Sequence, residues 1–196
     1  MIHPESPCVA CIGSRQLAAS DLAFCRALAD ALTAQGWTLV TGGATGADQA
    51  FAEGAAPSRL VLVVPWAGFH AGSLDPLVAR GARRVVATLD DPRSQAALAT
   101  HPARDRLGPG GTRLIARDGW IVAPTPGRPV AWCIAWPGSQ PGGTGFTQRL
   151  ARRQGIRVSD LRDPAVRARA AAWAGLDHPP ASSPVFRSPD PSARFP

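Results

Sequence analysis

Two glycine-rich turns, each directly behind an apolar run, hold the residues of this chain best placed for chemistry. The first, Thr41-Gly42-Gly43-Ala44-Thr45-Gly46-Ala47-Asp48, follows Trp37-Thr38-Leu39-Val40. The second, Pro141-Gly142-Gly143-Thr144-Gly145-Phe146-Thr147, follows Val130-Ala131-Trp132-Cys133-Ile134-Ala135-Trp136. Each opens a segment with helical patterning. A strand, a glycine turn and a helix start together aim backbone N–H groups and a positive dipole end at an anion. The glycines at 42, 43, 46, 142, 143 and 145 let the main chain approach a ligand, and Thr45, Thr144 and Thr147 add hydroxyl donors. Arg15 and Arg117 can add charge-assisted contacts. A single Gly-Gly turn needs no explanation beyond β–α geometry. Two turns with threonines at matching places point to a phosphate-bearing ligand.

Several other chemistries are excluded. A P-loop ATPase needs a lysine after its glycines, and this chain has no lysine. The dinucleotide fingerprint would start at Gly143-Thr144-Gly145, but Gln148 stands where its third glycine belongs. Neither a G-x-S-x-G elbow nor an H-E-x-x-H helix occurs. Cys8 and Cys11 form a C-x-x-C, yet they fall in the apolar run Pro7-Cys8-Val9-Ala10-Cys11-Ile12-Gly13, which reads as a strand. Residues three apart on a strand point to opposite faces, so the pair is read as small buried hydrophobes. No metal site and no cofactor is expected.

The elements that must position these turns follow from periodicity. Strands are expected at Cys8 to Ile12, Trp37 to Val40, Leu60 to Val64, Arg84 to Ala87, Val130 to Trp136 and Ile156 to Ser159. On the fifth of these, Val130, Trp132, Ile134 and Trp136 share one face. Helices are expected from a Ser20-Asp21 cap to about Gln35, from Asp48 to Ala56, and near Asp75 to Arg80. Others fall within Ser94 to Ala99 and Thr112 to Asp118, then at Gly143 to Gln154 and Pro164 to Trp173. Strands alternating with helices imply a doubly wound, mainly parallel α/β sheet with helices on both faces. Ligands of such sheets sit at the C-terminal ends of the strands. Gly13-Ser14-Arg15, the Gly42 turn, the loop Pro65-Trp66-Ala67-Gly68-Phe69 and the Gly142 turn all follow strands and converge on that edge.

At 196 residues the chain fits one domain, expected over 7–175, between an N-terminal tail (1–6) and a disordered Pro/Ser-rich tail (176–196). No apolar run is long enough to span a bilayer, and the N-terminus lacks a basic stretch followed by an apolar one, so the expected location is cytoplasmic. All 21 basic residues are arginine, part of an Ala/Pro/Gly-rich composition, and the net charge is +7. Between Arg149 and Arg169 lie seven arginines and two aspartates, a local +5. Arg149, Arg152 and Arg153 share a helix face that suits a solvated surface or a polyanion. Trp66 and Phe69 suit stacking on a base or packing at a rim. His101 suits a ligand contact or a local structural role.

The residues Gly13-Ser14-Arg15, Thr41 to Asp48 with Glu53, Arg117-Asp118, and Pro141 to Thr147 together resemble the SLOG superfamily. This Rossmann-like group includes the Smf/DprA DNA-processing proteins and the LOG nucleotide phosphoribohydrolases. The order and spacing match over about Cys8 to Ser159, and the chain looks most like small stand-alone DprA-like proteins of bacteria and phages. The resemblance implies a Rossmann-like fold and a ligand made of a nucleotide, a nucleotide-derived signal, or nucleic acid. Gly42, Gly43, Ala44, Thr45, Gly46 and Asp48 would form the first binding loop. Gly142, Gly143, Thr144, Gly145, Phe146 and Thr147 would form the second, with Gly13, Ser14, Arg15 and Trp66 alongside. Arg117 would match the arginine that contacts the ligand in LOG enzymes. The LOG pattern Pro-Gly-Gly-x-Gly-Thr-x-x-Glu is broken, since Phe146 replaces the threonine and Arg149 the catalytic glutamate. Glycosidic hydrolysis needs a carboxylate, for which Glu53 and Asp48 are the substitutes. Three readings therefore stand side by side. One is a nucleotide-binding sensor or weakened hydrolase. Another is a single-stranded DNA binder using Arg149, Arg152 and Arg153. The last is a nucleotide N-glycosidase using Arg117 and Glu53. A homodimer is in keeping with the superfamily.

Overall fold

Leu60 to Val64 is apolar without alternation, the pattern of a strand covered on both faces. The computed structural model, which describes residues 6–138 and 142–176, builds a sheet from such strands. They are β1 (Cys8–Gly13), β2 (Thr38–Thr41), β3 (Leu60–Val64), β4 (Arg83–Val86), β5 (Trp132–Trp136) and β6 (Arg157–Asp160). Their order is β4-β3-β2-β1-β5-β6, and every neighbouring pair is parallel. The expected tails lie outside the described residues except for Ser6 and Leu176, and so does Pro141 of the second turn. No described helix is long and apolar enough to cross a membrane.

Seven helices cover the sheet: α1 (Ala19–Ala34), α2 (Ala47–Gly54), α3 (Ala71–Ala79), α4 (Pro92–Thr100), α5 (Pro109–Val122), α6 (Gly143–Arg153) and α7 (Pro164–Ala174). Val9, Cys11, Leu39, Leu62, Trp132 and Ile134 bury one sheet face against α1, α2, α3 and α7, including Leu28, Phe51, Leu74 and Ala170. Ala10, Ile12, Val40, Val61, Val63 and Cys133 bury the other against α4, α5 and α6, including Ala97, Ile121, Phe146 and Leu150. Cys11 therefore lies in one layer while Cys8 packs against the other, which rules out chelation by the C-x-x-C.

Most expected elements form, with ends moved by a residue or two. Four differences stand out. Helix α5 runs to Val122 and starts at Pro109, where proline suits the first turn, because Ile115, Ile121 and Val122 bury against the sheet. Helix α3 begins at Ala71, ahead of the expected Asp75, after His70 turns the chain with φ 46°. Val130 precedes the strand and donates its N–H to Val122 O, so it joins the layer opposite Trp132 rather than sharing its face. Ser20 and Asp21 do not cap α1. They lie within its first turn, after Ala18, and Asp21 complements the dipole there.

Helices α1 and α2 pack closely enough to exclude a side chain at Gly54. A Cβ there would stand 2.6 Å from Arg26 Cα and C, and would collide with Arg26 O. Gly54→Ala should cost about 1–3 kcal/mol through overpacking, read as a lower urea midpoint. Gly110→Ala, where a Cβ meets nothing, should leave stability unchanged or raise it by up to about 1 kcal/mol.

Candidate functional site

Strand β1 lies between β2 and β5, and the chain leaves β1 and β5 toward opposite faces, into α1 and α6. This switch opens a crevice at the C-terminal ends of the strands. The loops after β1, β2, β3 and β5 meet along that edge, as their order in the sequence implied. Ser14 N–H donates to Trp136 O (2.8 Å), joining the loop starts after β1 and β5. A Cβ on Gly13 would press on Trp136 O at 3.0 Å and collide with Ala47 Cβ. The Ser14 hydroxyl exchanges bonds with Gln16, and Arg15 is exposed with no carboxylate partner among the described residues.

The first glycine turn uses several of its polar groups inside the protein. Ala47 N–H, at the start of α2, donates to Ser14 O (3.0 Å). Gly46, with φ 88°, lets those backbones meet, since a Cβ would stand 2.5 Å from Ser14 O. Asp48 is buried at 4% exposure. Its carboxylate accepts Gly13 N–H (2.9 Å) and Ala44 N–H (3.4 Å). Gly43 O accepts from Gln49 (3.5 Å), while Thr45 is exposed.

Arg117 ties this turn to α5 and α6. It is 8% exposed, donates to Gly42 O (2.9 Å) and to Asp118 (3.2 Å), and leaves its Nε buried without a partner among the described residues. A Cβ on Gly42 would stand 2.7 Å from Arg117 Cζ and 2.8 Å from Asp48 Oδ2, so only glycine fits. The Asp118 carboxyl is 1% exposed and hydrogen-bonds the Thr147 hydroxyl, which donates to Gly143 O (3.0 Å). Burial pushes Asp118 up to about 6, against the pull of Arg117 and Thr147. Asp48 is also raised by burial, opposed by Arg117 and by the N–H groups of Gly13, Ala44 and Gly42. Both carboxylates are thus engaged in holding the loops together.

The second turn is open. Helix α6 starts without a side-chain cap after exposed Gly142. A Cβ on Gly142 or Gly143 would meet nothing within 4 Å among the described residues, while Thr144 and Gly145 are half-buried. Among the described residues the N–H groups of Gly143, Thr144 and Gly145 have no acceptor, and an anion is favoured there. Arg149 folds back over this turn, its Nη1 being 3.5 Å from where a Gly145 Cβ would stand. Phe146 packs inward and meets the His101 ring at 4.8 Å, while His101 Nδ1 accepts Ala103 N–H. Beyond β3, exposed Trp66 stands edge-on to buried Phe69 at 5.1 Å.

The structure thus brings Gly13, Ser14, Arg15, Gly42, Gly43, Ala44, Gly46, Asp48, Arg117, Gly142 to Thr147, and Arg149 to one edge. Glu53 is not among them. It lies in the last turn of α2, exposed and paired with Arg26 at 2.7 Å, because α2 runs away from that edge. Arg152 and Arg153 are exposed at the far end of α6. Asp118, quoted beside Arg117 in the resemblance but given no role there, joins the site. Its signal is a carboxylate beside Arg117 in the middle of an amphipathic helix. Among the described residues, no group of three or more His, Cys, Asp or Glu is placed to hold a metal ion.

A parallel, doubly wound sheet with its crevice beside β1 and β5 defines a Rossmann-like α/β protein. Residues 2–88 match the profile of the family described as DNA recombination-mediator protein A. DNA processing protein A from Helicobacter pylori, whose structure was reported for its unique single-stranded DNA binding mode, is similar in fold. The TM-score is 0.58 at 18% identity, covering 85% of this chain and 74% of that one. No curated protein matches the chain. The chain is thus similar to that family over residues 2–88 and shares its fold with a DNA processing protein A.

An unfolded Asp118 titrates near 3.8, whereas the folded one titrates at about 6. Between those values the folded state holds a proton that the unfolded state has lost, so the Asp118 contribution to stability falls as pH rises from about 4 to about 6. Asp118→Asn should remove a decline of about 2–3 kcal/mol across that window, measured by urea unfolding of both proteins at a series of pH values.

Proposed function

We propose that this chain binds single-stranded DNA along the C-terminal edge of its sheet, with a backbone phosphate at the start of α6 and no hydrolysis. The observation that carries the reading is Arg149, whose guanidinium folds over the uncapped first turn of α6. A cation beside the first N–H groups of α6 suits a phosphate and cannot replace the glutamate of a phosphoribohydrolase. Arg15 adds a second free cation on the same edge, and Arg152 and Arg153 continue the positive face along α6. The DprA family profile over residues 2–88 and the fold shared with a DNA-binding DNA processing protein A support the same choice of ligand. The carboxylates considered for catalysis are otherwise employed: Glu53 on Arg26, Asp48 on the loop amides, Asp118 on Arg117 and Thr147.

A nucleotide or nucleotide-derived ligand is the second reading, favoured by the small extent of the open turn at Gly142 to Gly145. Fluorescence anisotropy separates the two. A labelled oligothymidylate of about twenty nucleotides should bind with an affinity that falls steeply with salt, and Arg149→Ala should weaken it and lower the log–log salt slope by about 0.7. Binding that ignores salt, or a mononucleotide that displaces the strand at equal concentration, would overturn the DNA reading in favour of the nucleotide one.

A further inference from the structure

Trp66 opens the loop after β3 and is 36% exposed, yet its position is fixed from behind. Its ring stands at 89° to Phe69, 5.1 Å between centroids. Phe69 is buried, meets the His70 ring at 4.3 Å and lies 6.0 Å below the Arg117 guanidinium. The loop backbone is pinned as well. Phe69 N–H donates to Trp66 O (3.1 Å), and Arg84, paired with Asp75, donates to Ala67 O (3.4 Å). An indole anchored on one edge and exposed on the other is a pre-organised surface for a flat ring, because little side-chain freedom remains to be lost.

Where Trp66 sits on the edge sets the size of the ligand. Between the loop after β3 and the start of α6 lie β2 and β1, so the two are separated by three strand spacings, from β3 to β5. At about 4.8 Å per spacing this is ~14 Å. A stacked strand rises about 3.4 Å per nucleotide, so ~14 Å spans about four nucleotides. One mononucleotide cannot place its phosphate at α6 and its own base on Trp66.

We propose that Trp66 is a stacking platform for a nucleobase of the bound strand, reached only by a ligand of about four nucleotides or more whose phosphate lies at the start of α6. The inference rests on the single-stranded DNA reading above and adds to it a length requirement and a base-contacting residue.

The test is anisotropy with labelled oligothymidylates of about two to about ten nucleotides, against wild type, Trp66→Ala, Trp66→Phe and Arg149→Ala. Wild-type affinity should step up once the strand exceeds about four nucleotides. Trp66→Ala should abolish the step, costing on the order of tenfold for long strands and nothing for the shortest, with the salt slope unchanged. Trp66→Phe should restore most of the loss, because a phenyl face still stacks. One abasic position in a long strand should cost wild type as much as Trp66→Ala, and the two changes should not add. Thermal unfolding confirms that each variant is folded, as expected at an exposed position. Long strands bound equally by Trp66→Ala and wild type, or a loss equal at every length with an altered salt slope, would overturn the platform and leave the DNA reading standing. Wild-type protein that binds no strand of any length would overturn both.

Discussion

Arg117 carries a permanent charge into the interior of this protein, and the loops at the sheet edge are arranged to satisfy it. A buried guanidinium is tolerated only when carboxylates and carbonyls replace its water. Here the Gly42 carbonyl and Asp118 do so directly, with Asp48 acting through space from the other side of Gly42. The bonds cross four elements. Asp48 of α2 holds the end of β1 through Gly13, Arg117 of α5 holds the turn after β2, and Asp118 reaches Thr147 in α6. Position 42 has no room for a β-carbon because the guanidinium occupies that space. The composition of the first glycine turn is therefore a consequence of where the charge is buried.

This assigns different tasks to two turns that look alike in sequence. In the first, the N–H groups of Gly42, Ala44 and Ala47 are used on Asp48 and on the loop after β1. In the second, the helix begins in open space with Arg149 across it. Anion affinity at a helix start needs unspent N–H groups; Gly143, Thr144 and Gly145 at the start of α6 have no N–H acceptor among the described residues, whereas Ala47 at the start of α2 gives its own to Ser14 O. The first turn sets the shape of the crevice, and the second supplies its electropositive end. An arginine at position 149 reverses the sign of the charge that a glycosidase would need there.

Much of this architecture was legible before any coordinates. Apolar runs without alternation gave the inner strands, their alternation with helices gave the doubly wound sheet, and the ordering of glycine turns behind strands placed them on one edge. Less legible were features set by contacts across the fold. The length of α5 depends on Ile121 and Val122 finding the sheet. Val130 changed layers because a hydrogen bond to Val122 holds it before the strand begins. Glu53, five residues beyond Asp48, was carried to the opposite end of α2 by the rise of the helix and found Arg26 instead.

What the residues alone determined is the inventory: no lysine for a P-loop, glycines behind β2 and β5, and arginine where a catalytic glutamate would be required. These follow from local chemistry, which is readable along the chain. Only the tertiary structure decided which glycine turn is spent and which is open, that Arg117 and Asp118 form a buried pair, and that Trp66 shares an edge with the start of α6. Those outcomes depend on the sheet order, which brings Gly13 to Asp48 across 35 residues and Gly42 to Arg117 across 75, and on burial, which changes the energy of a charge far more than its neighbours in sequence do.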